Sequence, residues 1–284
     1  MSVASITAPG KRGPEWLTIP VCISLFFLLM ILGMAVFGPM ILGNGNELNP
    51  MMRLKPPSAE AWFGTDNLGR DIFARTVSGA RNSVIVGVTT AALVLLVGGA
   101  LGVIAGYFHW ADMVLMRVAD GLMAIPGILL AIALVSLLGG GLVTVIIAIA
   151  VPEIPRTARL LRSVVLSIRE LPFVMASVSV GSATHKIILQ HIVPNAIGAL
   201  MVQATYVCAA AVLSEAALSF LGVGTPPDVP SWGNVVASGK DYFRLAPWII
   251  AFPGIMLSIL VLSINILGDQ LRDQLDPRLT KRRP

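Results

Sequence analysis

The sequence predicts an all-α polytopic membrane protein with six transmembrane helices, and three observations carry that prediction. Hydrophobic residues make up 56% of the chain and charged residues only 12%, about half the charge of a typical soluble domain, and mean hydropathy is +0.84. Several runs reach the roughly 20 apolar residues that carry a helix across about 30 Å of hydrocarbon. None has the alternating ten-residue pattern of a membrane β-strand, so the spans read as helices that satisfy their own backbone polar groups.

The spans fall at residues 16–38, 83–107, 113–138, 141–161, 196–218 and 246–267. The first, WLTIPVCISLFFLLMILGMAVFG, follows Lys11 and Arg12. It is too long for a signal-peptide core and no small-x-small cleavage pattern follows it, so a retained span behind a tail of residues 1–15 is expected. Residues 39–82 then form an external segment. The second span is free of charge and dense in small residues, at Gly87, Gly98, Gly99, Gly102 and Gly106, which let helix backbones approach closely.

The third span carries Arg117 and Asp120 near one end, and the fourth is the least apolar. Its core LVTVIIAIAV is followed by Pro152, Glu153, Pro155, Arg156 and Arg159. One central charge costs about 2.5–3.5 kcal/mol on insertion scales, so these charges are expected at the interface, with the prolines bending the helix. The fifth span has small residues at Ala204, Ala209, Ala210 and Ala211, and the sixth is free of charge. Residues 83–268 thus make up the main transmembrane domain, ahead of a tail at 269–284.

Orientation follows from the basic residues. Lys11, Arg12, Arg117, Arg156, Arg159, Arg162, Arg169, Lys186, Arg272, Arg278, Lys281, Arg282 and Arg283 share one side of the membrane and outnumber Arg53, Lys55, Arg70, Arg75, Arg81, Lys240 and Arg244 on the other. The larger set is expected in the cytoplasm, together with both termini and the 162–195 loop. Topology and anionic lipid explain the net charge of +5 and the pI of about 9.6, which therefore give no argument for a nucleic-acid partner.

Chemistry-bearing patterns are sparse. Cys22 and Cys208 fall inside spans and read as small apolar packing residues. His109, His185 and His191 lack metal-ligand spacing, and GxxxxGK[ST], HExxH and GxSxG do not occur. No metal, cofactor or catalytic site is expected, and the chain is not expected to be an enzyme.

Residues 170–194 interrupt this lipid-compatible chain with a polar and basic stretch. Small residues at Ala176 and Ser177 let a short helix approach a partner, Gly181 permits a left-handed turn, and Pro194 begins or bends the next helix. A short helix held between two arms suits a protein socket. Elsewhere, Thr65 to Asp71 reads as a turn leading into a capped helix with Asp71 near its start. Pro226, Pro227, Pro230, Ser231, Trp232 and Gly233 read as a rigid outer loop with an interfacial tryptophan. Glu215 lies in the last turn of the fifth span, where an ionisable residue is a functional candidate.

Met175-Ala176-Ser177, Gly181 and Ile192-Val193-Pro194 resemble the EAA loop of ABC importer permeases. GTDNLGRDIFARTVSGARNS at 64–83, LSEAALSFLGVGTPPDVPSWGNVVASG at 213–239 and LGDQLRDQLDPRL at 267–279 are similar to blocks of the dipeptide, oligopeptide and nickel importer branch, in the expected order. Met175 stands where that family has an acidic residue, and Ser177 where it has a second alanine. The resemblance implies the type I permease fold of ABC importers and an inner-membrane location. It makes Ala176, Ser177, Val180, Gly181, Ser182, Ala183 and Pro194 the ATPase-coupling residues. It also makes Glu215 a candidate gate, and Asp66, Arg70 and Asp71 candidates for docking a binding protein.

The partners implied are a second homologous permease, two ABC ATPase subunits, an external substrate-binding protein and the bilayer. The cargo implied is a di- or oligopeptide, with nickel or another small solute as the alternative. A motor-independent carrier would predict inverted repeats and polar breaks at the midplane, and neither is evident in the sequence.

Overall fold

In a computed structural model of the chain the described residues are 18–275, apart from 44 and 227. The 1–15 tail with Lys11 and Arg12, Pro227, and Arg278, Lys281, Arg282 and Arg283 of the 269–284 tail lie outside the described residues. Apart from one isolated bridge between Thr65 and Asp71, the described residues form helices and loops.

The helices in order are α1 (Ile19–Leu42), α2 (Ile72–Tyr107), α3 (His109–Met123), α4 (Gly127–Leu138), α5 (Leu142–Arg169), α6 (Pro172–Ser179), α7 (Thr184–Ile187), α8 (Val193–Phe220), α9 (Trp232–Ser238) and α10 (Trp248–Leu275). A π-helical turn, Ile188–Ile192, joins α7 to α8, so Thr184–Phe220 runs as one rod. That rod, α1, α2 and α10 are each long and apolar enough to cross a membrane, and α3 with α4 makes a fifth such unit. α5 completes the six, apolar from Leu142 to Val151 and charged beyond.

Two features differ from the sequence expectation. The third span is not one helix: α3 and α4 meet at 86°. Pro126 has no N–H to donate and pushes Ile125 away from helical geometry, so the helix stops there. α2 begins at Ile72 rather than near residue 83, because Asp71 caps it by accepting the Phe73 N–H at 2.8 Å. The charges of α5 are met partly within the chain. Glu153 is 9% exposed, and Arg159 and Arg162 pair with Asp120 and Asp112 of α3. Two acidic residues on a facing helix thus neutralise the arginines that made this span look costly.

α2 is the central helix. A Cβ on Gly98 would lie 2.8 Å from the Ile154 carbonyl, one on Gly102 2.7 Å from the Ala158 carbonyl, and one on Gly106 2.6 Å from Val165 Cβ. Spaced four apart, these glycines make one stripe along which α5 lies directly on α2. Gly87 does the same for α8, where a Cβ would meet Val212 at 2.8 Å. Ile31, Ala35, Ala80, Ala209, Val212, Trp232 and Leu260 form a buried cluster that ties α1, α2, α8, α9 and α10 together.

Candidate functional site: a docking loop and a polar clasp

The loop between α5 and α8 is built around α6. Leu171 is extended, Pro172 starts the helix with the φ a first turn needs, and Val174, fully buried, anchors it to Leu161, Val165, Ile187 and Ile192. The helix ends in a Schellman turn. Ser182 N–H donates to the Ser177 carbonyl at 3.1 Å and Gly181 N–H to the Val178 carbonyl at 3.0 Å, with Gly181 at φ +79°. A residue with a Cβ resists that conformation, and this is why glycine stands there.

Apart from Val174, α6 and the turn that follows it point their apolar side chains outward. Val180 is 86% exposed, Val178 53% and Met175 52%. Ala176, Ser182, Ala183 and Pro194 are exposed as well. Ser177 Oγ donates to the Phe173 carbonyl at 2.9 Å and lies 3.2 Å from His191 Nε2. The serine in place of the expected second alanine therefore ties α6 to the returning chain. Met175, in place of the acidic residue, offers an apolar surface.

At the other end of α8 the 64–83 and 213–239 segments close on one another, a juxtaposition that sequence reading did not foresee. Trp232 is fully buried; its indole N–H donates to the Thr76 carbonyl at 2.8 Å and its backbone N–H to Ser83 Oγ at 3.1 Å. Asn82 donates to the Pro230 carbonyl at 2.6 Å, and Arg75 Nη2 donates to Asn234 Oδ1 at 2.9 Å. Asn234 in turn donates to the carbonyls of Pro226 and Val229. Arg75, Ser83 and Asn234 hold the clasp together and were not among the site residues that the sequence reading singled out. Their signal was a cluster of polar side chains at the head of an apolar helix.

Glu215 is fully buried inside this clasp. Its Oε1 accepts from Ser231 at 2.7 Å, Ser219 at 2.8 Å and Thr225 at 3.2 Å, which ties the 221–231 loop to the last turns of α8. Asp66 and Arg70, read as candidate docking residues, are 0% and 8% exposed. Asp66 Oδ1 accepts the Leu68 and Arg70 N–H groups and Oδ2 accepts Arg70 Nε at 2.6 Å. Both side chains are used in building the turn. Asp71 is the α2 cap; burial raises its carboxyl above the usual aspartate range, opposed by the Phe73 and Ala74 N–H groups.

A Trp232→Ala variant removes the largest side chain of the clasp and with it the indole bond to the Thr76 carbonyl. The expected loss is about 3–5 kcal/mol. It is read as a lower temperature at which the detergent-solubilised protein stops eluting as a single species.

A bundle of apolar helices with an exposed loop at one end and a buried polar clasp at the other is the architecture of a multi-pass membrane component. Residues 98–281 match the family described as "Binding-protein-dependent transport system inner membrane component". The chain is 50% identical over 250 residues to a probable peptide ABC transporter permease of Sinorhizobium fredii, covering 88% of this chain and 86% of that one. It is 43% identical over 259 residues to a dipeptide transport system permease of Alkalihalophilus pseudofirmus, covering 90% and 85%. An inward-facing structure of the MetNI methionine ABC transporter shares the fold, with a TM-score of 0.59 at 20% identity over 72% of this chain and 98% of that one. The chain belongs to the binding-protein-dependent transport system inner membrane component family. It is a permease component of an ABC importer, and its business is transport rather than catalysis.

Proposed function

We propose that the chain forms half of a translocation path for di- or oligopeptides, beside a second homologous permease. Two ATPase subunits dock beneath the permease pair, one of them on the 162–195 loop of this chain, which faces the cytoplasm with both termini, and an external binding protein delivers the peptide to the clasp end. The observation that carries this reading is mechanical. The exposed α6 hangs between two long helical elements, α5 and the Thr184–Phe220 rod, and the far end of that rod is tied through Glu215 into the clasp. A push on α6 therefore reaches the opposite face without passing through a flexible joint.

Ala176, Ser177, Val180, Gly181, Ser182, Ala183 and Pro194 serve as the coupling surface and the turn that presents it. Glu215 acts as a gate residue by holding the 221–231 loop to α8. Asp66, Arg70 and Asp71 contribute to binding-protein docking through the turn they build, since Asp66 and Arg70 are buried. The peptide cargo is supported by relatives named as peptide and dipeptide permeases.

Tagged chain purified in mild detergent from its native membrane is expected to bring down ATPase subunits and a second permease. Liposomes carrying that assembly are expected to accumulate a dipeptide only with ATP inside the cell-facing compartment and binding protein on the other side. Accumulation without ATP would replace the importer with a motor-independent carrier.

A further inference from the structure

The break between α3 and α4 creates a polar site apart from the α6 loop and beside the clasp. A cavity of about 130 Å³ lies where α4 begins, bordered by Gly127, Pro152, Glu153, Arg156, Ser214 and Leu218. At 1.5 Å per residue, Glu153 is about 16 Å along α5 from Leu142, and on α8 Ser214 and Leu218 come one residue before Glu215 and Ser219 of the clasp.

Glu153 is 9% exposed. Its Oε1 accepts from Arg156 Nη1 at 2.6 Å, while Oε2 is buried and has no hydrogen-bond partner among the described residues. A buried carboxylate oxygen is costly to leave unmet, and ionisable side chains inside a membrane-spanning bundle mark the path of a substrate or ion. The opposite wall carries donors. The Leu129 and Leu130 N–H groups donate to the Pro126 carbonyl, which leaves those of Gly127 and Ile128 at the positive end of α4, and Arg156 Nη2 lies 3.6 Å from the position of a Cβ on Gly127. One open acceptor beside a set of donors matches the two ends of a main chain: an ammonium, and the carbonyl or carboxylate next to it.

We infer that this cavity is a transit site for the free amino terminus of the transported peptide, with Glu153 Oε2 taking the ammonium and Arg156 and the start of α4 taking the neighbouring oxygen. The assignment rests on the peptide-importer reading above. The cavity holds one terminal group and not a whole peptide, so it discriminates by the charge at the end of the cargo and not by its side chains.

Ser214 borders the cavity and supplies a reporter. Cys22 and Cys208, both free, are replaced by alanine, Ser214→Cys is introduced, and the complete importer is reconstituted in liposomes. A cationic methanethiosulfonate is expected to label this position about tenfold faster than an anionic one, and Glu153→Gln to abolish that preference. In the chain that keeps Glu153, a saturating dipeptide slows labelling about fivefold or more, whereas its N-acetylated form and ammonium chloride do not.

Equal rates for the two reagents overturn the site. So does protection by the N-acetylated dipeptide, or by ammonium chloride, which marks a simple cation site. Absence of labelling in liposomes that still import peptide overturns it too. ATP-driven uptake is recorded on the same liposomes. Import with failed labelling removes the site alone, whereas a complete lack of import in every variant, the Glu153 chain included, removes the importer reading and the site with it.

Discussion

Val180→Asp is expected to abolish recovery of ATPase subunits with the purified chain while leaving the chain itself folded. Val180 is 86% exposed at the tip of the docking loop, so the free chain hydrates an added carboxylate at no cost. In a closed protein contact the same carboxylate loses its water and finds no designed partner, which costs several kcal/mol. That is a more than hundredfold loss of affinity, enough to empty a pull-down. Gly181→Ala makes the comparison. Nothing lies within 4 Å of a Cβ there, and the only penalty is the φ of +79°, about 1–2 kcal/mol, so coupling is expected to weaken but persist. Undiminished ATPase recovery with Val180→Asp would mean that the motor docks elsewhere.

Gly102→Leu is expected to prevent assembly of the bundle. A Cβ at that position meets the Ala158 carbonyl at 2.7 Å and Leu161 Cβ at 2.8 Å. The first of these is backbone and cannot swing aside, so α2 and α5 must separate along the glycine stripe. The cost should exceed the about 1–3 kcal/mol usual for overpacking, and expression of monodisperse protein in detergent is expected to collapse. Gly99→Ala, three positions earlier, is the control: its nearest neighbours would be 3.7 and 3.8 Å away, an ordinary contact, with an expected effect within about 0.5 kcal/mol. A Gly102→Leu protein that elutes and melts like the parent would show that α5 is free to move away from α2.

The loop around α6 was the part whose local shape was most legible. Its elements are local: Pro172 opens α6, Gly181 closes it, and both act on neighbours within a few residues. The glycines of α2 were legible as packing residues, although their partners on α5 were not. The break at Pro126 had a local cause that outranked a continuous apolar run, since hydropathy reports lipid compatibility and not helix continuity. Asp66 and Arg70 looked like exposed docking residues because charged side chains in a turn are ordinarily solvated. They are buried because each satisfies the other.

By itself the chain's order of residues determined the helical class, the apolar lengths, the small-residue stripes and the shape of the docking loop. All of these depend on periodicity or on neighbours in sequence. Only the tertiary structure decided that Trp232 closes onto Thr76 and Ser83, that Asp112 and Asp120 answer the arginines of α5, and that Glu153 faces the broken end of α4 with one oxygen unmet. Each of these joins groups far apart in the chain, and the energy of a polar group in a membrane depends on what is brought beside it, which no local pattern records.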